Sequence, residues 1–98
     1  YSYDASIFYA FPEGGFEAFN QYLISNNQLA SDTVEASVLI RFDVHHSGRI
    51  NDPRFVRRYQ QQYDEYALKL LLEGPKWSPA VAHGAIPVSS VEQVRIDF

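Results

Sequence analysis

The stretch "EASVLIRFDVHHSGRINDPRFVRRY", residues 35–59, contains the clearest structural pattern of the chain. Between residues 35 and 46 apolar and polar residues alternate, and the apolar set is Ala36, Val38, Ile40, Phe42 and Val44. Successive side chains of a β-strand point to opposite faces of the sheet. The alternation therefore predicts a strand with one buried face.

The residues that follow this strand predict the rest of a hairpin. "HHSGR" favours a turn, and "INDPRFVRRY" favours the returning strand. Ile50 falls on the same face as Val44 only if the loop has an odd number of residues, so we expect Gly48 to adopt a positive φ in a bulged turn. Because Pro53 has no N–H to donate, we expect the second strand to lie at an edge or to contain a bulge.

Two segments have apolar residues at helical spacing. The first, "PEGGFEAFNQYLISNN" at residues 12–27, ends in a turn-like pair of asparagines, and its apolar residues are Phe16, Phe19 and Leu23. The second, "YDEYALKLLLEG" at residues 63–74, ends at Gly74 and Pro75, and its apolar face consists of Tyr63, Ala67, Leu70 and Leu71. We therefore predict one helix before the hairpin and one helix after it.

The carboxy-terminal quarter of the chain predicts a loop and a third strand. "EGPKWSPAVAHGAIPV", residues 73–88, holds the only tryptophan and three of the five prolines, so we expect neither a helix nor a long strand there. Trp77 is expected to pin this crossing by packing under the helices, while prolines such as Pro79 restrict the loop. "VEQVRIDF", residues 91–98, alternates again, with Val94, Ile96 and Phe98 inward and Gln93, Arg95 and Asp97 outward.

These elements predict the order helix-strand-strand-helix-strand in a single domain, residues 1–98, of which residues 1–11 form an extended segment. The predicted fold class is α+β, a three-stranded antiparallel sheet of order 2-1-3 with two helices packed on one face. The first strand is the most apolar and is expected in the centre, which leaves the last strand on an open edge. We also expect structural roles for Pro12 and Gly15.

Composition excludes several classes of function. The chain has 98 residues, a hydrophobic content of 46% and a net charge of -4, which argues against a nucleic-acid-binding surface. The cluster of Arg54, Arg57 and Arg58 is a local exception that we interpret as a solvated strand face. There is no cysteine, and no apolar run is long enough to span a bilayer. The chain begins with Tyr1 and lacks methionine, so we expect it to be part of a longer protein.

No group of residues predicts catalysis, a metal site or a cofactor site. His45 and His46 are adjacent on a predicted strand, so their side chains are expected to face opposite ways and not to bind one metal together, although His45 and Asp43 share a face. Asp64 and Glu65 diverge by about 100° around a helix and do not form an acid–base pair. Serines lack the context of an activated nucleophile.

Five separated patterns resemble the C-terminal domain of TonB-type energy transducers. They are "FPEGGFEAF", "VLIRFDVHHSGRI" with Asp52 after it, "YDEYALKLL", "PKWSPA" followed by "HGAIPV", and the terminal "VRIDF". They occur in the order of the family and cover residues 11–98. The chain departs from the family pattern at "NQLAS", where the family shows a tyrosine-proline pair, and at Ala36, where it shows a glycine.

The resemblance implies a non-catalytic periplasmic module, anchored in the inner membrane by a segment absent from this chain. In the family, the TonB box of an outer-membrane TonB-dependent receptor pairs with the last strand of the domain, and a proton-driven motor complex supplies force. An open edge offers unpaired N–H and C=O groups to such a peptide. The contact residues implied here are Val91, Glu92, Gln93, Val94, Arg95, Ile96 and Asp97.

Two other interpretations remain open at this point. The domain is alternatively an accessory or self-association element of a longer cell-envelope protein linked to a sensor or peptidase, with its edge covered by the N-terminal "SIFYAF" segment or by a second copy in a homodimer. A small enzyme is the remaining alternative, for which a pocket with strongly perturbed acids would be the sign.

Overall fold

A computed structural model describes residues 9–29, 35–82 and 86–98 of the protein. These ranges contain two helices and antiparallel strands, which confirms the predicted α+β class. In chain order the elements are β1 (Phe11–Pro12), α1 (Gly15–Asn26), β2 (Ser37–Val44), β3 (Ile50–Arg57), α2 (Gln61–Glu73), β4 (Trp77–Ser78), β5 (Ala80–Ala82), β6 (Ile86–Val88) and β7 (Ser90–Asp97).

The main sheet has three antiparallel strands in the order β3-β2-β7. The hairpin β2–β3 brings Val44 opposite Ile50, and β7 then pairs with the other side of β2. The most apolar strand therefore lies in the centre, and the last strand of the chain lies at an edge. This arrangement corresponds to the order 2-1-3 of the three long strands that the sequence predicts.

The expectation of a single three-stranded sheet was wrong, because two small sheets of short strands accompany the main one. Residues 73–88 contain no helix beyond the end of α2 and no long strand in their described part, as expected. β1 pairs with β4 through Pro12 opposite Trp77, and β5 pairs with β6 as a small hairpin. Strands of two or three residues are too short to show a period of two, so they leave no pattern in the sequence. Of the predicted extended segment 1–11, residues 1–8 lie outside the described residues, and Phe11 begins β1.

One face of β2 forms the floor of the core. Val38, Ile40, Phe42 and Val44 are all fully buried, as the alternation predicts. The remaining buried apolar side chains pack on the same cluster and include Phe19 of α1, Ala67, Leu70 and Leu71 of α2, and Val94, Ile96 and Phe98 at the chain end. Because both helices contact one cluster over this face, they lie on one side of the sheet.

The ends of the helices follow the local signals of the sequence. α1 begins after Gly14, whose φ of +86° is accessible to glycine at little cost, and ends at the asparagine pair. α2 ends at Glu73, directly before Gly74 and Pro75. Among the described residues, no helix combines the length and apolar character needed to cross a lipid bilayer.

Trp77 connects α1 to the central strand. Its side chain is 2% exposed and meets the rings of Phe16, Phe19 and Phe42 edge to face, with centroid separations of 5.9, 5.8 and 5.1 Å. Edge-to-face pairs of this kind stabilise a core beyond the area they bury. The indole Nε1 is buried and has no hydrogen-bond partner among the described residues. Trp77 thus acts as an apolar packing residue within the described part of the chain.

We predict that Trp77→Ala lowers the free energy of unfolding by about 3–5 kcal/mol, because it leaves a large cavity among three aromatic rings. Trp77→Phe keeps a ring in the site and removes the unpaired indole N–H, so its loss should be about half as large. Urea denaturation of both variants measures the difference. Equal losses would contradict a mainly apolar role for the indole.

The turn between β2 and β3 packs against the main chain of Trp77. Residues 45–49 connect the strands, the odd count that the register requires, and Gly48 has a φ of +89°. The N–H of Gly48 donates to the C=O of His45 over 2.7 Å. A Cβ atom at Gly48 would lie 2.4 Å from the carbonyl oxygen of Trp77. The turn therefore needs glycine both for its conformation and for space.

A comparison of Gly48→Ala with Gly15→Ala separates the requirement for a positive φ from the requirement for space around the Cβ atom. Gly15 has the same φ of +89°, but a Cβ there would meet no atom within 4 Å. We expect Gly15→Ala to cost about 1–2 kcal/mol of unfolding free energy from conformation alone. Gly48→Ala should cost at least about 1 kcal/mol more, because the Trp77 main chain must shift. Denaturant unfolding checks both values, and equal costs would show that the close contact does not matter.

Candidate functional site

Strand β7 pairs with β2 along its whole length and has a free second side. The eight residue pairs run from Ser37 opposite Asp97 to Val44 opposite Ser90, without a register shift. Within residues 9–29, 35–82 and 86–98, no strand pairs with the other side of β7. β7 therefore presents a regular, uninterrupted edge.

The hydrogen bonds between β2 and β7 decide which main-chain groups of β7 face outward. The N–H of Phe98 donates to the C=O of Ala36 over 2.8 Å, so this is a hydrogen-bonded pair. In an antiparallel ladder such pairs alternate with non-hydrogen-bonded pairs. The even-numbered residues of β7 therefore bond to β2, and the N–H and C=O groups that point to the free side belong to Val91, Gln93, Arg95 and Asp97.

The opposite edge of the sheet, β3, is irregular. Its pairing with β2 shifts register between Leu39 and Ile40 and again between Arg41 and Asp43. Asp52, at the second shift, has a φ of +48°, and Pro53 follows it without an N–H. Pro53 thus lies both at an edge and at a bulge. Bulges and prolines are features that prevent an edge from pairing with further strands. β3 has both features, whereas β7 has neither a proline nor a register shift.

The arginines of the predicted solvated face are paired or exposed. Arg54 lies 3.0 Å from a carboxylate oxygen of Asp52 and 3.3 Å from one of Asp43. The guanidinium of Arg58 lies 4.6 Å from the centre of the Phe55 ring, and Arg57 is exposed. These contacts lie along β3 and help to stabilise its irregular backbone.

The seven residues of the predicted contact do not contribute equally. The side chains of Val94 and Ile96 point into the core, and Glu92 accepts a hydrogen bond from the Ser90 hydroxyl over 3.0 Å. These three even-numbered residues also bond to β2 through their main chains. The four residues that have outward main-chain groups and exposed side chains are Val91, Gln93, Arg95 and Asp97.

On the outer face of the sheet, three of the four exposed side chains of β7 are linked to one another or to β2, and the fourth, Val91, is an exposed aliphatic residue. Arg95 donates to the carboxylate of Asp97, with Nε 3.1 Å from Oδ1, and Arg41 donates to Gln93 Oε1 over 3.0 Å. Surface pairs of this kind contribute little to stability. They make this face of the edge polar, whereas the face toward the helices is apolar.

A groove of about 580 Å³ lies between α1 and the free side of β7. Ile24 is 71% exposed, although it is a large aliphatic residue. The other half of the groove consists of the last residues of β7. The lining residues are Asn20, Leu23, Ile24, Asn27, Arg95, Ile96 and Asp97.

Three hydrogen bonds hold the end of α1 in place over this edge. The Tyr22 hydroxyl donates to the C=O of Leu70 over 2.8 Å, and the Tyr66 hydroxyl donates to the C=O of Asn26 over 2.6 Å. In the third bond, Nδ2 of Asn27 donates to the C=O of Asp97 over 2.9 Å. Burial raises the pKa of the Tyr22 hydroxyl, with smaller contributions from Glu73 and Tyr66. α1 is thus tied to both α2 and β7.

Sequence reasoning missed Ile24 and Asn27 as site residues. Asn27 was identified only as part of a helix stop, and its partner Asp97 lies 70 residues further along the chain. Ile24 lies off the apolar stripe of Phe16, Phe19 and Leu23 and therefore received no assignment. A large aliphatic residue outside the core-facing stripe is the signal that could have identified this position.

The prediction that His45 and His46 face opposite ways was wrong. Their ring centroids are 3.8 Å apart with an interplanar angle of 37°. β2 ends at Val44, so strand alternation no longer applies to His46 in the turn. Nδ1 of His45 accepts a hydrogen bond from the N–H of Ser47 over 3.2 Å. No group of three metal-ligating side chains is found in the described part of the chain.

We predict that His45 titrates below its ordinary pKa of 6.5, because desolvation, His46 and Arg49 all lower its pKa, in that order of size. The folded state thus favours the neutral ring, and its contribution to stability is present above pH 6.5 and lost as the pH falls below. His46→Ala should raise this pKa, and Arg49→Gln should raise it less. Titration by NMR checks both changes; a wild-type value at or above 6.5 would contradict the prediction.

Asp64 and Glu65 do not share a site. Asp64 is 6% exposed, and its Oδ1 accepts a hydrogen bond from the N–H of Tyr59 over 2.8 Å, just before α2. Glu65 is exposed and bonds to the side chain of Gln61. Tyr59 precedes the N-cap residue Gln60, so this bond holds the segment that leads into α2 against the first turns of the helix. These two acids therefore support the helix.

Comparison of the chain with protein-family models, with curated proteins and with solved structures gave no match. The features that bear on function are therefore those of the molecule itself. They are the regular free edge of β7, the protected edge of β3, and the apolar groove under α1.

Proposed function

We propose that this domain binds an extended segment of another protein by adding it as a strand to β7. The observation that carries this function is the difference between the two edges of the sheet. β3 is interrupted twice and contains Pro53, whereas β7 pairs regularly over eight residues and directs main-chain groups to its free side. An extended peptide satisfies such groups along a ladder.

The number of available groups supports reversible binding. The outward groups are the N–H and C=O of Val91, Gln93 and Arg95 and the N–H of Asp97, since Asn27 already donates to the C=O of Asp97. Each main-chain hydrogen bond contributes about 0.5–1.5 kcal/mol net, and ordering a free peptide offsets part of the sum. Affinities of about micromolar to millimolar follow.

We further propose that the partner segment is the TonB box of an outer-membrane TonB-dependent transporter. The chain would then be the periplasmic domain of a TonB-type energy transducer, anchored in the inner membrane through a segment outside this chain. Support comes from the five sequence patterns over residues 11–98 and from the position of the last strand at the sheet edge. The proposed role is binding and transmission of force, without catalysis or cofactor.

Reversible strand addition suits this role. A transducer driven by a proton-powered motor complex must hold a transporter segment under load and later release it. Force applied along an added strand loads several hydrogen bonds together, while the modest total free energy still permits dissociation. Energy for active uptake of nutrients would reach the transporter through this contact.

Amide hydrogen exchange tests the proposed contact residue by residue. In the free domain, the outward amides of Val91, Gln93, Arg95 and Asp97 should exchange quickly, and the even-numbered amides of β7 should be protected by β2. A saturating synthetic TonB-box peptide should slow the outward amides about tenfold or more and leave the even-numbered amides nearly unchanged. This alternation follows from the ladder geometry.

Two controls give the test its meaning. Two further peptides of the same sequence carry N-methyl groups on alternate residues, one on the odd-numbered and one on the even-numbered positions. The peptide whose methyl groups replace the N–H groups that bond to β7 should lose binding, and the other peptide should retain it. Protection of the outward amides that rises with domain concentration, without peptide, would instead favour self-association through β7. Uniform protection over both helices with no alternation in β7 would contradict strand addition.

A further inference from the structure

From the groove beside β7 we infer that the added segment is anchored by one large aliphatic side chain, which lies opposite Ile96 in the ladder and packs on Leu23 and Ile24. This assignment rests on the proposed strand addition and adds the chemistry of the partner segment. The segment would alternate, with an aliphatic residue toward α1 and polar residues on the other face. Leu23 and Ile24 would then determine which peptides bind.

The register of an added strand brings one of its side chains to this groove. The main-chain groups of Ile96 bond to β2, so a residue opposite Ile96 in an added antiparallel strand is in a non-hydrogen-bonded pair. The Cβ atoms of such pairs are about 4.5–5.5 Å apart, and both side chains lie on the same face. Ile96 points toward the helices, so the guest side chain also points under α1.

The lining of the groove favours an apolar guest. Leu23 and Ile24 supply the aliphatic surface, since Ile96 is only 1% exposed, and the other α1 residues, Asn20 and Asn27, are uncharged. Arg95 and Asp97, the charged residues of the lining, pair with each other. A charged guest would therefore lose hydration and would have to compete with this existing pair. The volume of about 580 Å³ is within the range of about 300–1,000 Å³ that holds ligands.

The end of α1, which forms one wall of the groove, is fixed by hydrogen bonds. Tyr22, Tyr66 and Asn27 fix the end of α1 to α2 and to β7 through hydrogen bonds of 2.6–2.9 Å. Binding therefore requires little ordering of the domain itself, and most of the free energy of burying the guest appears as affinity. Because Asn27 already donates to the C=O of Asp97, an added strand cannot use that group, and the added ladder ends at this residue.

A second copy of the domain fits this groove poorly. Pairing of β7 with another β7 would direct the core-facing side chains of the partner copy toward the groove. In each copy those side chains, Val94 and Ile96, are buried beneath its own helices. A free extended segment has no such constraint on its side chains. The occupant is therefore a peptide segment with an unburied aliphatic residue.

A host–guest peptide series tests this assignment. The probes are blocked ten-residue peptides with threonine at alternate positions, serine between them, and one central guest in place of a serine that is isoleucine, alanine or aspartate, so that the guest is the only residue on its face that can be a large aliphatic side chain. The isoleucine peptide should bind wild-type domain about tenfold or more tighter than the alanine peptide, because of the additional apolar area buried. The aspartate peptide should bind weakest. Calorimetry or NMR titration measures the dissociation constants.

Matched variants locate the effect in the groove. Ile24→Asn should weaken the isoleucine peptide about tenfold and change the alanine peptide less than twofold. The control Leu72→Asn replaces another aliphatic helix residue, 50% exposed and lining a different groove on α2, and should change neither peptide more than twofold. Both replaced side chains are exposed, so both variants should keep the wild-type unfolding midpoint within a few degrees.

The outcomes separate this assignment from the proposed function. Loss of the isoleucine preference in Ile24→Asn, with the alternating amide protection of β7 retained, supports the groove as the anchor site. Alternating protection with an unchanged isoleucine preference in Ile24→Asn overturns the groove assignment and leaves strand addition intact. Absence of alternating protection with every peptide overturns both.

Discussion

The structure depends on the pairing of β2 with a strand on each side and the complete burial of one of its faces. Four side chains on that face have no exposed surface, and both helices pack their apolar residues onto it. β2 lies between β3 and β7, which are the outer strands of this sheet in the described part of the chain. The proposed peptide binding depends on how those two edges differ.

Trp77 and Gly48 hold the rest of the chain to that central strand. The indole joins Phe16 and Phe19 of α1 to Phe42 of β2, and the main chain of Trp77 lies against the turn at Gly48. This contact sets the position of α1 over the sheet. The end of α1 is then tied to Asp97 by Asn27, so the groove beside β7 is a consequence of the same packing.

The two edges of the main sheet differ in backbone regularity and in the main-chain groups that they expose. Asp52 and Pro53 deform β3 and remove a donor, while β7 has neither proline nor bulge and exposes alternate main-chain groups. Ile24 adds exposed aliphatic surface beside β7. In the proposed binding mode, the backbone ladder would give affinity through the main chain, and the groove would give selectivity through one side chain.

The long elements of this protein could be predicted from the sequence because their signals are local and repeat many times. Alternation gave β2 and β7, helical spacing gave α1 and α2, and the odd loop count gave the conformation of Gly48. The same reasoning failed for His46, because alternation ends where the strand ends, and for the two- and three-residue strands around Trp77, which are too short to have a period.

The sequence by itself determined which residues are buried on β2 and that the last strand lies at an edge, since both follow from short-range periodicity and hydrophobicity. Only the tertiary structure decided which main-chain groups of β7 face outward, that the Asn27 side chain donates to the C=O of Asp97 and that Ile24 borders a groove. These facts depend on strand register and on contacts between residues up to 70 positions apart, and no local pattern encodes a contact between distant segments.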